Sequence, residues 1–215
     1  MNRYVSVAVL GLLAVVVLFA VAPMFAQAPK GWMVRTDHSM NASDPDAAGD
    51  VKFVTMGSGF HATNPRAAVY WNPVNTMTGN YSVKGTVKLV KAGSHTEYYG
   101  LIIGGSDLGG PAQSYLYFMV AADGTFLIKR RNGDSTETIS PATENSAVKT
   151  PDASGQSTNA LEVRVMSNKI DYLINGTVVK SVPKTGAAAK TDGIYGIRVN
   201  HMLEVHIDGF SASKN

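Results

Sequence analysis

Alternation of apolar and polar residues dominates the chain beyond about residue 50. It is clearest over residues 81–90, where the two kinds of side chain alternate through most of the run. The apolar members are Tyr81, Val83, Val87 and Leu89, and the polar members are Ser82, Lys84, Thr86 and Lys88. Because successive side chains of a strand point to opposite faces, this pattern predicts a strand with one buried face and one solvated face.

Shorter runs of the same kind, with turn residues about every 8 to 12 positions, predict a series of further strands. These predicted strands cover residues 51–56, 67–71, 97–103, 114–121, 125–131, 161–166, 170–174, 177–182, 194–199 and 203–210. In the run 161–166, alternate residues are again apolar, so Leu161, Val163 and Val165 are predicted to face inward. Two stretches rich in turn-forming residues, 40–50 and 140–158, are predicted to be loops.

Three connections are predicted between neighbouring strands. Asp123-Gly124 and Asn175-Gly176 each predict a hairpin with a type I′ turn, because that turn needs positive φ at both central residues. The last two strands, 194–199 and 203–210, are predicted to pair with each other through Asn200-His201.

About a dozen short strands cannot bury their apolar faces as one flat sheet. They must pack as two sheets face to face or close into a barrel. The run from Tyr115 to Val120 carries large side chains on both faces, which favours a sandwich in which one face meets the partner sheet and the other lines a groove. The fold class predicted is therefore all-β, a two-sheet antiparallel β-sandwich.

An apolar leader precedes this domain. Arg3 is followed by an apolar stretch of about 18 residues, the lower limit for a membrane-spanning helix. Ala26-Gln27-Ala28 has the small-x-small form of a signal peptidase site, but Pro29 directly after it disfavours a cut there. Residues 1–28 are thus predicted to form a hydrophobic signal helix, either a cleaved signal peptide or an uncleaved anchor, before a single domain over 29–215. Both alternatives predict export to a periplasmic or extracellular location, most simply in a bacterium.

Composition narrows the classes of partner. The chain has 19 basic and 16 acidic residues, a net charge of +3, and 0 cysteines. So mild a charge balance, without a basic stripe, gives no reason to expect nucleic acid binding. The lack of cysteine excludes disulfides, thiolate metal sites, a cysteine nucleophile and a lipid-bearing cysteine. Membrane contact is expected only through the leader, if it is retained, and the sequence leaves the oligomeric state open.

Three segments of the second half carry a resemblance to a known group of proteins. They are Asn159-Ala-Leu-Glu-Val-Arg-Val, Ile170-Asp-Tyr-Leu-Ile-Asn-Gly-Thr-Val-Val and Asp192-Gly-Ile-Tyr-Gly-Ile-Arg-Val-Asn-His. Their order resembles the concanavalin A-like lectin/glucanase superfamily, above all laminin-G-like domains and a bacterial exported domain related to 3-keto-disaccharide hydrolases. The resemblance covers about residues 95–211 and implies a jelly roll of two antiparallel sheets, one of them concave. Members bind or cleave carbohydrate, so it also implies a carbohydrate or glycoconjugate partner.

The catalytic signature of that superfamily is missing. Its retaining glucanases carry Glu-x-Asp-x-x-Glu on one strand, and the nearest run here is Glu204-Val-His-Ile-Asp208. Four strand residues span about 13 Å, more than the roughly 5–5.5 Å of a retaining carboxylate pair or the roughly 6.5–9.5 Å of an inverting pair. We therefore predict a non-catalytic carbohydrate- or cell-surface-binding domain. The alternatives are a glycoside-processing hydrolase, for which Glu97, Glu204 and His206 are the candidate catalytic residues, and a structural protein of the envelope.

Aromatic residues on adjacent predicted strands are the main candidates for ligand contact. Aromatic rings stack on sugar rings, and phenol hydroxyls form hydrogen bonds. Tyr115 and Tyr117 share a strand face opposite Leu116, Phe118 and Val120, so they are predicted to line the exposed face of their sheet. Arg131, beside Arg130, adds a fork suited to carboxylates such as those of uronic acids. The candidate ligand-binding residues are Trp71, Tyr98, Tyr99, Tyr115, Tyr117, Arg131, Asn200 and His201. The competing interpretation is that aromatic residues simply favour strands and that the arginines are surface charges.

Two parts of the sequence contain candidate metal ligands, although no cofactor is predicted. Glu204, His206 and Asp208 alternate along one strand, with His201 just before them, and such a polar face orients a sugar or ligates a metal. The alternative is the solvent face of an edge strand. Asp107, in the Gly-rich run 104–110, is a candidate ligand for Ca²⁺.

Overall fold

Two antiparallel sheets of seven strands each pack face to face in the computed structural model, which describes residues 29–39 and 41–215. The strands are β1 Met33–Asp37, β2 Lys52–Met56, β3 Gly59–Asn64, β4 Ala67–Met77, β5 Tyr81–Lys91, β6 Tyr98–Ser106, β7 Ser114–Ala121, β8 Thr125–Asn132, β9 Ser135–Glu144, β10 Ser157–Val165, β11 Lys169–Ile174, β12 Thr177–Pro183, β13 Gly193–Val199 and β14 Leu203–Lys214. The first sheet has the order β1-β4-β13-β6-β7-β8-β9, and the second has the order β12-β11-β10-β5-β14-β3-β2. The predicted all-β sandwich is confirmed, whereas the predicted leader, residues 1–28, lies outside the described residues.

The space between the sheets is filled by the inward halves of the alternating strands. In β5, Tyr81, Val83, Val87 and Leu89 are buried, while Lys84, Thr86 and Lys88 are exposed, as predicted. Ser82, predicted on the solvated face, is instead buried, and its hydroxyl donates a hydrogen bond of 2.9 Å to Asn215 Oδ1. In β10 the three predicted inward residues also lie in the core. Phe118 of β7 joins the two layers, since its ring centroid is 5.2 Å from that of Tyr172 in β11. The hydrophobic pattern thus decides which face of each strand is buried.

Asn175-Gly176 turns the chain between β11 and β12 as predicted, with φ of 51° and 83°. The predicted type I′ turn at Asp123-Gly124 is wrong, although β7 and β8 do form a hairpin. Only Gly124 has positive φ there, at 87°. Asp123 Oδ1 accepts a hydrogen bond of 3.0 Å from the Thr125 backbone N–H, and this side-chain contact stabilises a different turn.

The predicted pairing of the last two strands is also wrong. β13 lies between β4 and β6 in the first sheet, and β14 lies between β5 and β3 in the second. The three residues from Asn200 to Met202 carry the chain from one layer to the other, and Met202 has a positive φ of 53°. A local pattern of two apolar runs around a short polar link does not distinguish this crossover from a hairpin.

The predicted loop over 140–158 is too long. β9 continues to Glu144 and β10 begins at Ser157, so the loop covers 145–156. β9 is an edge strand with most of its residues exposed, and its Ser- and Thr-rich sequence therefore lacks the alternation by which strands are recognised. Apart from the strands, the described part of the chain has one short 3₁₀ turn, Gly186–Ala188. None of the described residues forms a helix with the length and apolarity needed to cross a membrane.

Candidate functional site

The outer face of the first sheet carries a second apolar cluster. Because Leu116, Phe118 and Val120 pack between the sheets, Tyr115 and Tyr117 point away from them, as the alternation predicted. The outer cluster consists of Val69, Trp71, Ile102, Leu108, Tyr115, Tyr117, Met119 and Leu127. The sheet is thus packed on both of its faces, and the outer face is a candidate binding surface.

Arg198 lies at the centre of this face. Its neighbours Ile197 and Val199 are core residues, so Arg198 points outward. It is in register with Gly100 of β6, and two residues earlier Gly196 is in register with Ile102. A Cβ atom at either glycine would collide with a carbonyl oxygen of the adjacent strand. Both positions therefore need glycine, and neither adds a side chain next to Arg198.

The guanidinium of Arg198 covers the two tyrosines. Its Nη1 donates hydrogen bonds of 2.7 Å to the Tyr115 hydroxyl and 3.1 Å to Asp37 Oδ2. Its Cζ lies 5.4 Å from the ring centroid of Tyr117, within the range of a cation–π interaction. Nη1 is the donor in both of these hydrogen bonds. Among the described residues, Nε and Nη2 of Arg198 have no acceptor and are further donors.

Two more arginines lie on the same face. Arg35 Nε donates to Asp37 Oδ1 at 3.3 Å, and Arg35 Nη1 donates to the Gly110 carbonyl oxygen at 2.5 Å. Arg131, in register with Tyr115, uses its Nε for the Gly133 carbonyl oxygen at 2.5 Å. All three arginine side chains are at least three-quarters buried. Two carboxylates lie against these three arginines: Asp37, which Arg35 and Arg198 share, and the almost fully exposed Asp134, 3.6 Å from Arg131 Nη2, so one positive charge is left in excess.

The protonation states of Asp37, Tyr115 and Tyr117 follow from their burial and from the charges around them. Burial alone would raise the pKa of Asp37, but the charge and hydrogen bond of Arg198 outweigh it, and the pKa lies below its usual value. Burial raises the pKa of both Tyr115 and Tyr117 despite the nearby Arg198. At neutral pH, Asp37 is therefore ionised, and the Tyr115 hydroxyl keeps its proton as a hydrogen-bond donor.

The aromatic rings themselves are not presented to solvent. Tyr115 is 0% exposed and Tyr117 is 8% exposed, and Trp71 is buried beside them. Tyr98 lies at the border of the same cluster, and its hydroxyl is 2.9 Å from Thr125 Oγ1. Tyr99 points the other way into the inter-sheet core, because it follows Tyr98 on the strand, and this corrects its place in the predicted ligand-binding set. The face that the sequence suggested is present, but its aromatic rings are buried together with three largely buried arginine side chains.

A second polar cluster surrounds the crossover between β13 and β14. His201 Nε2 lies 2.7 Å from Glu97 Oε1 and 3.2 Å from Asp44 Oδ1. His201 Nδ1 lies 3.3 Å from Asp46 Oδ1. Burial raises the pKa of Glu97 and outweighs the opposing charge of His201. The structure thus brings together two predicted residues, Glu97 and His201, with two acids of the 41–50 loop that the sequence analysis missed.

Comparison with known proteins gives matches at the level of structure. No family model and no curated protein matches the sequence. Carbohydrate-binding module CBM66 from Bacillus subtilis is 7% identical, with a TM-score of 0.60 over 86% of this chain and 96% of that chain. A GH16 protein of the Bacteroides ovatus mixed linkage glucan PUL, in complex with G4G4G3G product, is 11% identical, with a TM-score of 0.56 over 85% and 94%. Alginate lyase A1-II′ is 16% identical, with a TM-score of 0.53 over 86% and 95%.

This chain has the concanavalin A-like jelly-roll fold. The resemblance that the second half indicated is confirmed for the fold, and the matches extend it to most of the first half. Since identities are between 7% and 16%, they concern the fold alone. The function of this jelly roll must be argued from its own residues.

Several predicted site residues lie elsewhere in the jelly roll. Glu204, His206 and Asp208 share the outer face of the second sheet, on a strand that is flanked on both sides and is not an edge. Glu204 Oε1 is 3.0 Å from His61 Nε2, and Asp208 Oδ2 is 3.1 Å from His206 Nε2. Each carboxylate therefore contacts a different histidine, and neither lies with His201.

The remaining predicted residues do not form one site. Arg131 is in register with Tyr115 near the start of β7, whereas the Asn200 backbone N–H donates a hydrogen bond to the Tyr98 backbone carbonyl oxygen, opposite the end of β7. Arg131 and Asn200 therefore lie near opposite ends of β7. Asp107 Oδ2 accepts a hydrogen bond of 2.9 Å from the Ala112 backbone N–H and so closes its own loop.

Proposed function

We propose that this protein is an exported carbohydrate-binding domain that holds anionic glycans on the outer face of its first sheet. The observation that carries this proposal is the group of three largely buried arginines, Arg35, Arg131 and Arg198, around Tyr115 and Tyr117. Guanidinium forks match carboxylates with two parallel hydrogen bonds, so the surplus of arginine favours glycans that contain uronic acids.

Arg198 is the expected anchor. Its Nη1 is engaged by Tyr115 and Asp37, which hold the guanidinium in place, and its Nε and Nη2 form a fork with no hydrogen-bond partner among the described residues. The Tyr115 hydroxyl retains a proton for a further acceptor. The free edge of the Arg198 guanidinium therefore supplies the donors that a carboxylate accepts from.

The fold neighbours support carbohydrate as the ligand class. One is a carbohydrate-binding module, one holds a mixed-linkage glucan product, and one is an alginate lyase. Because one fold hosts many functions, this likeness supports the proposal only together with the arginine face. The proposed export rests on the apolar leader predicted from the sequence.

Binding is favoured over glycoside hydrolysis by the positions of the carboxylates. Hydrolysis by the common mechanisms needs two carboxylates facing each other across the sugar. Glu97 contacts His201 at the start of β6, and Glu204 contacts His61 on the other sheet. The candidate catalytic acids therefore lie at two different places.

Isothermal titration of the protein, expressed with its own leader, against alginate, polygalacturonate and a neutral β-glucan tests the proposal. We expect binding to the two polyuronates. The variant Arg198→Lys keeps the charge but loses the fork, and we expect it to weaken this binding. Lys84→Ala is the matched control, because Lys84 is an exposed cation of the second sheet. Equal binding by wild type and Arg198→Lys would contradict the proposed face, and self-association without glycan binding would favour the structural role.

A further inference from the structure

His201 is a single buried imidazole among three carboxylates. Glu97 and Asp44 lie beside its Nε2, and Asp46 lies beside its Nδ1. The side chains of His201 and Glu97 are each only 8% exposed. A protonated His201 supplies one buried positive charge against three negative charges, and the two other histidines in reach are far more exposed: His38 Nδ1 lies 3.3 Å from Asp46 Oδ2, and His95 Nε2 lies 3.7 Å from Asp44 Oδ1. Buried carboxylates are costly unless cations compensate them, so this cluster calls for more positive charge than it contains.

The geometry at Nε2 points to an ion and not to a simple ion pair. Glu97 Oε1 is 2.7 Å from Nε2, yet this buried nitrogen forms no hydrogen bond of acceptable geometry. Asp44 Oδ1 and Asn200 Oδ1 are likewise buried without partners. The donor atoms of Asp44, Glu97 and His201 all lie within 4.8 Å of one another. Three donor atoms therefore face the same small space.

Asp46 orients the imidazole for this role. With Nδ1 as the donor, His201 gives a hydrogen bond of 3.3 Å to Asp46 Oδ1, and the lone pair is then on Nε2. The other oxygen of Asp46 accepts a hydrogen bond of 3.1 Å from the Ser39 backbone N–H. A carboxylate that holds the second nitrogen of a ligating histidine is the usual outer partner in metal sites.

We propose that His201 Nε2, Glu97 and Asp44 bind a divalent first-row transition ion of the Zn²⁺ type. One imidazole nitrogen with two carboxylates suits such an ion. Ca²⁺ instead prefers about six to eight oxygen ligands. His95 Nε2 lies 3.7 Å from Asp44 Oδ1 and is half exposed, but it stands outside this group of three donor atoms. This inference is independent of the carbohydrate-binding proposal.

The ion would join three distant parts of the chain. Asp44 belongs to the 41–50 loop, Glu97 directly precedes β6, and His201 belongs to the crossover between the sheets. A cavity of about 540 Å³ lies alongside, with Ala47, Gly49, Lys91, Met202 and Glu204 among its lining residues. The 41–50 loop forms part of its wall, so the bound ion fixes that wall against the end of the sandwich.

The test is Zn²⁺ titration of the full chain, expressed with its own leader and without a histidine tag, after chelator treatment. We expect one equivalent of Zn²⁺ to bind and to raise the unfolding temperature, and an equal concentration of Ca²⁺ to have no such effect. Co²⁺ in place of Zn²⁺ should give the visible absorption bands of a nitrogen-ligated site.

Two variants and one control separate the site from general histidine binding. Glu97→Gln keeps the size of the side chain and should abolish the Zn²⁺-dependent rise in unfolding temperature. Asp46→Asn should weaken Zn²⁺ binding about 10- to 100-fold, the usual effect of losing an outer partner. His206→Gln is the matched control, since His206 also contacts an aspartate but lies on the second sheet, and it should bind Zn²⁺ like wild type.

Circular dichroism without metal shows whether each variant is folded. If Glu97→Gln proves unfolded, Asp44→Asn replaces it, because Asp44 is more exposed and its loss is better tolerated. Failure of the folded wild type to bind Zn²⁺, stabilisation by Ca²⁺ in its place, or unchanged Zn²⁺ binding in a folded ligand variant would each overturn the proposal.

Discussion

Arg198 donates a hydrogen bond of 2.7 Å to the hydroxyl of Tyr115, across the outer face of the first sheet. The contact places a guanidinium group on a sheet face whose other buried residues are mainly apolar. The guanidinium also shields the ring of Tyr117 from solvent. Under the proposed function, this guanidinium fork is the group that selects anionic glycans over neutral ones.

Removing the Tyr115 hydroxyl should weaken this arrangement without destroying it. In Tyr115→Phe, Arg198 loses one acceptor, and we expect the free energy of unfolding to fall by about 0.5–1.5 kcal/mol. Binding of polyuronates should weaken as well, because the guanidinium is less firmly held. Chemical denaturation and calorimetric titration measure the two effects.

Tyr98→Phe is the matched control for that change. Tyr98 lies at the border of the same outer cluster, but its hydroxyl contacts Thr125 and not an arginine. If Tyr98→Phe and Tyr115→Phe reduce glycan affinity equally, the contact with Arg198 has no special role.

Because of Asp37, the free energy of unfolding of the protein should depend on pH in the acid range. Burial works against ionisation, but Arg198 holds the pKa of Asp37 below its usual value of about 3.9. A carboxyl group with a lowered pKa contributes stability above its unfolded pKa and loses that contribution as pH falls through its folded pKa. The stability difference between wild type and Asp37→Asn should therefore be largest near pH 7 and should shrink below about pH 4.

Urea denaturation at a series of pH values, from neutral to acid, measures that difference directly. Asp134→Asn serves as the control, because Asp134 lies near Arg131 but is almost fully exposed. A difference for Asp37→Asn that stays constant with pH would show that its charge does not stabilise the face.

Phe118 should be essential for joining the sheets. It is 1% exposed, and its ring packs edge-on against Tyr172 of the second sheet and Phe126 of its own sheet. Phe118→Ala should lower the free energy of unfolding by about 3–5 kcal/mol, since the cavity cannot fill completely. Val178→Ala, at an exposed position of β12, should change it little. Thermal and urea unfolding provide the comparison, and similar losses in both variants would contradict this account of the core.

The sequence predicted the faces of strands better than their partners. Alternation in β5, β7 and β10 gave the correct buried faces, because burial of one side of a strand leaves a period of two in the sequence. β9 was missed because an edge strand with mostly exposed residues leaves no such period. The β13–β14 crossover was taken for a hairpin because strand pairing depends on the whole topology and not on the local link.

In the candidate site, too, the sequence predicted which face a side chain lies on but not which residues it contacts. Tyr115 and Tyr117 were placed on the correct face by alternation, but the charged groups beside them, Arg198 and Asp37, come from distant parts of the chain. Arg198 is 83 residues from Tyr115 along the chain and 161 residues from Asp37. Alternation with Ile197 and Val199 would have placed Arg198 on an outer face, but not above these tyrosines. Glu97 and His201 were found separately for the same reason, since only the crossover brings them together.

Calorimetric titration of the protein with alginate, and with the same alginate after chemical reduction of its carboxylates to alcohols, is the most direct measurement. The two polymers share length and linkage and differ in charge. If the outer face with Arg198 recognises uronates, alginate binds, and the reduced polymer binds at least about tenfold more weakly, as the loss of a charge-assisted hydrogen bond of about 1.5–3 kcal/mol requires. Equal affinity for the two polymers would contradict the account.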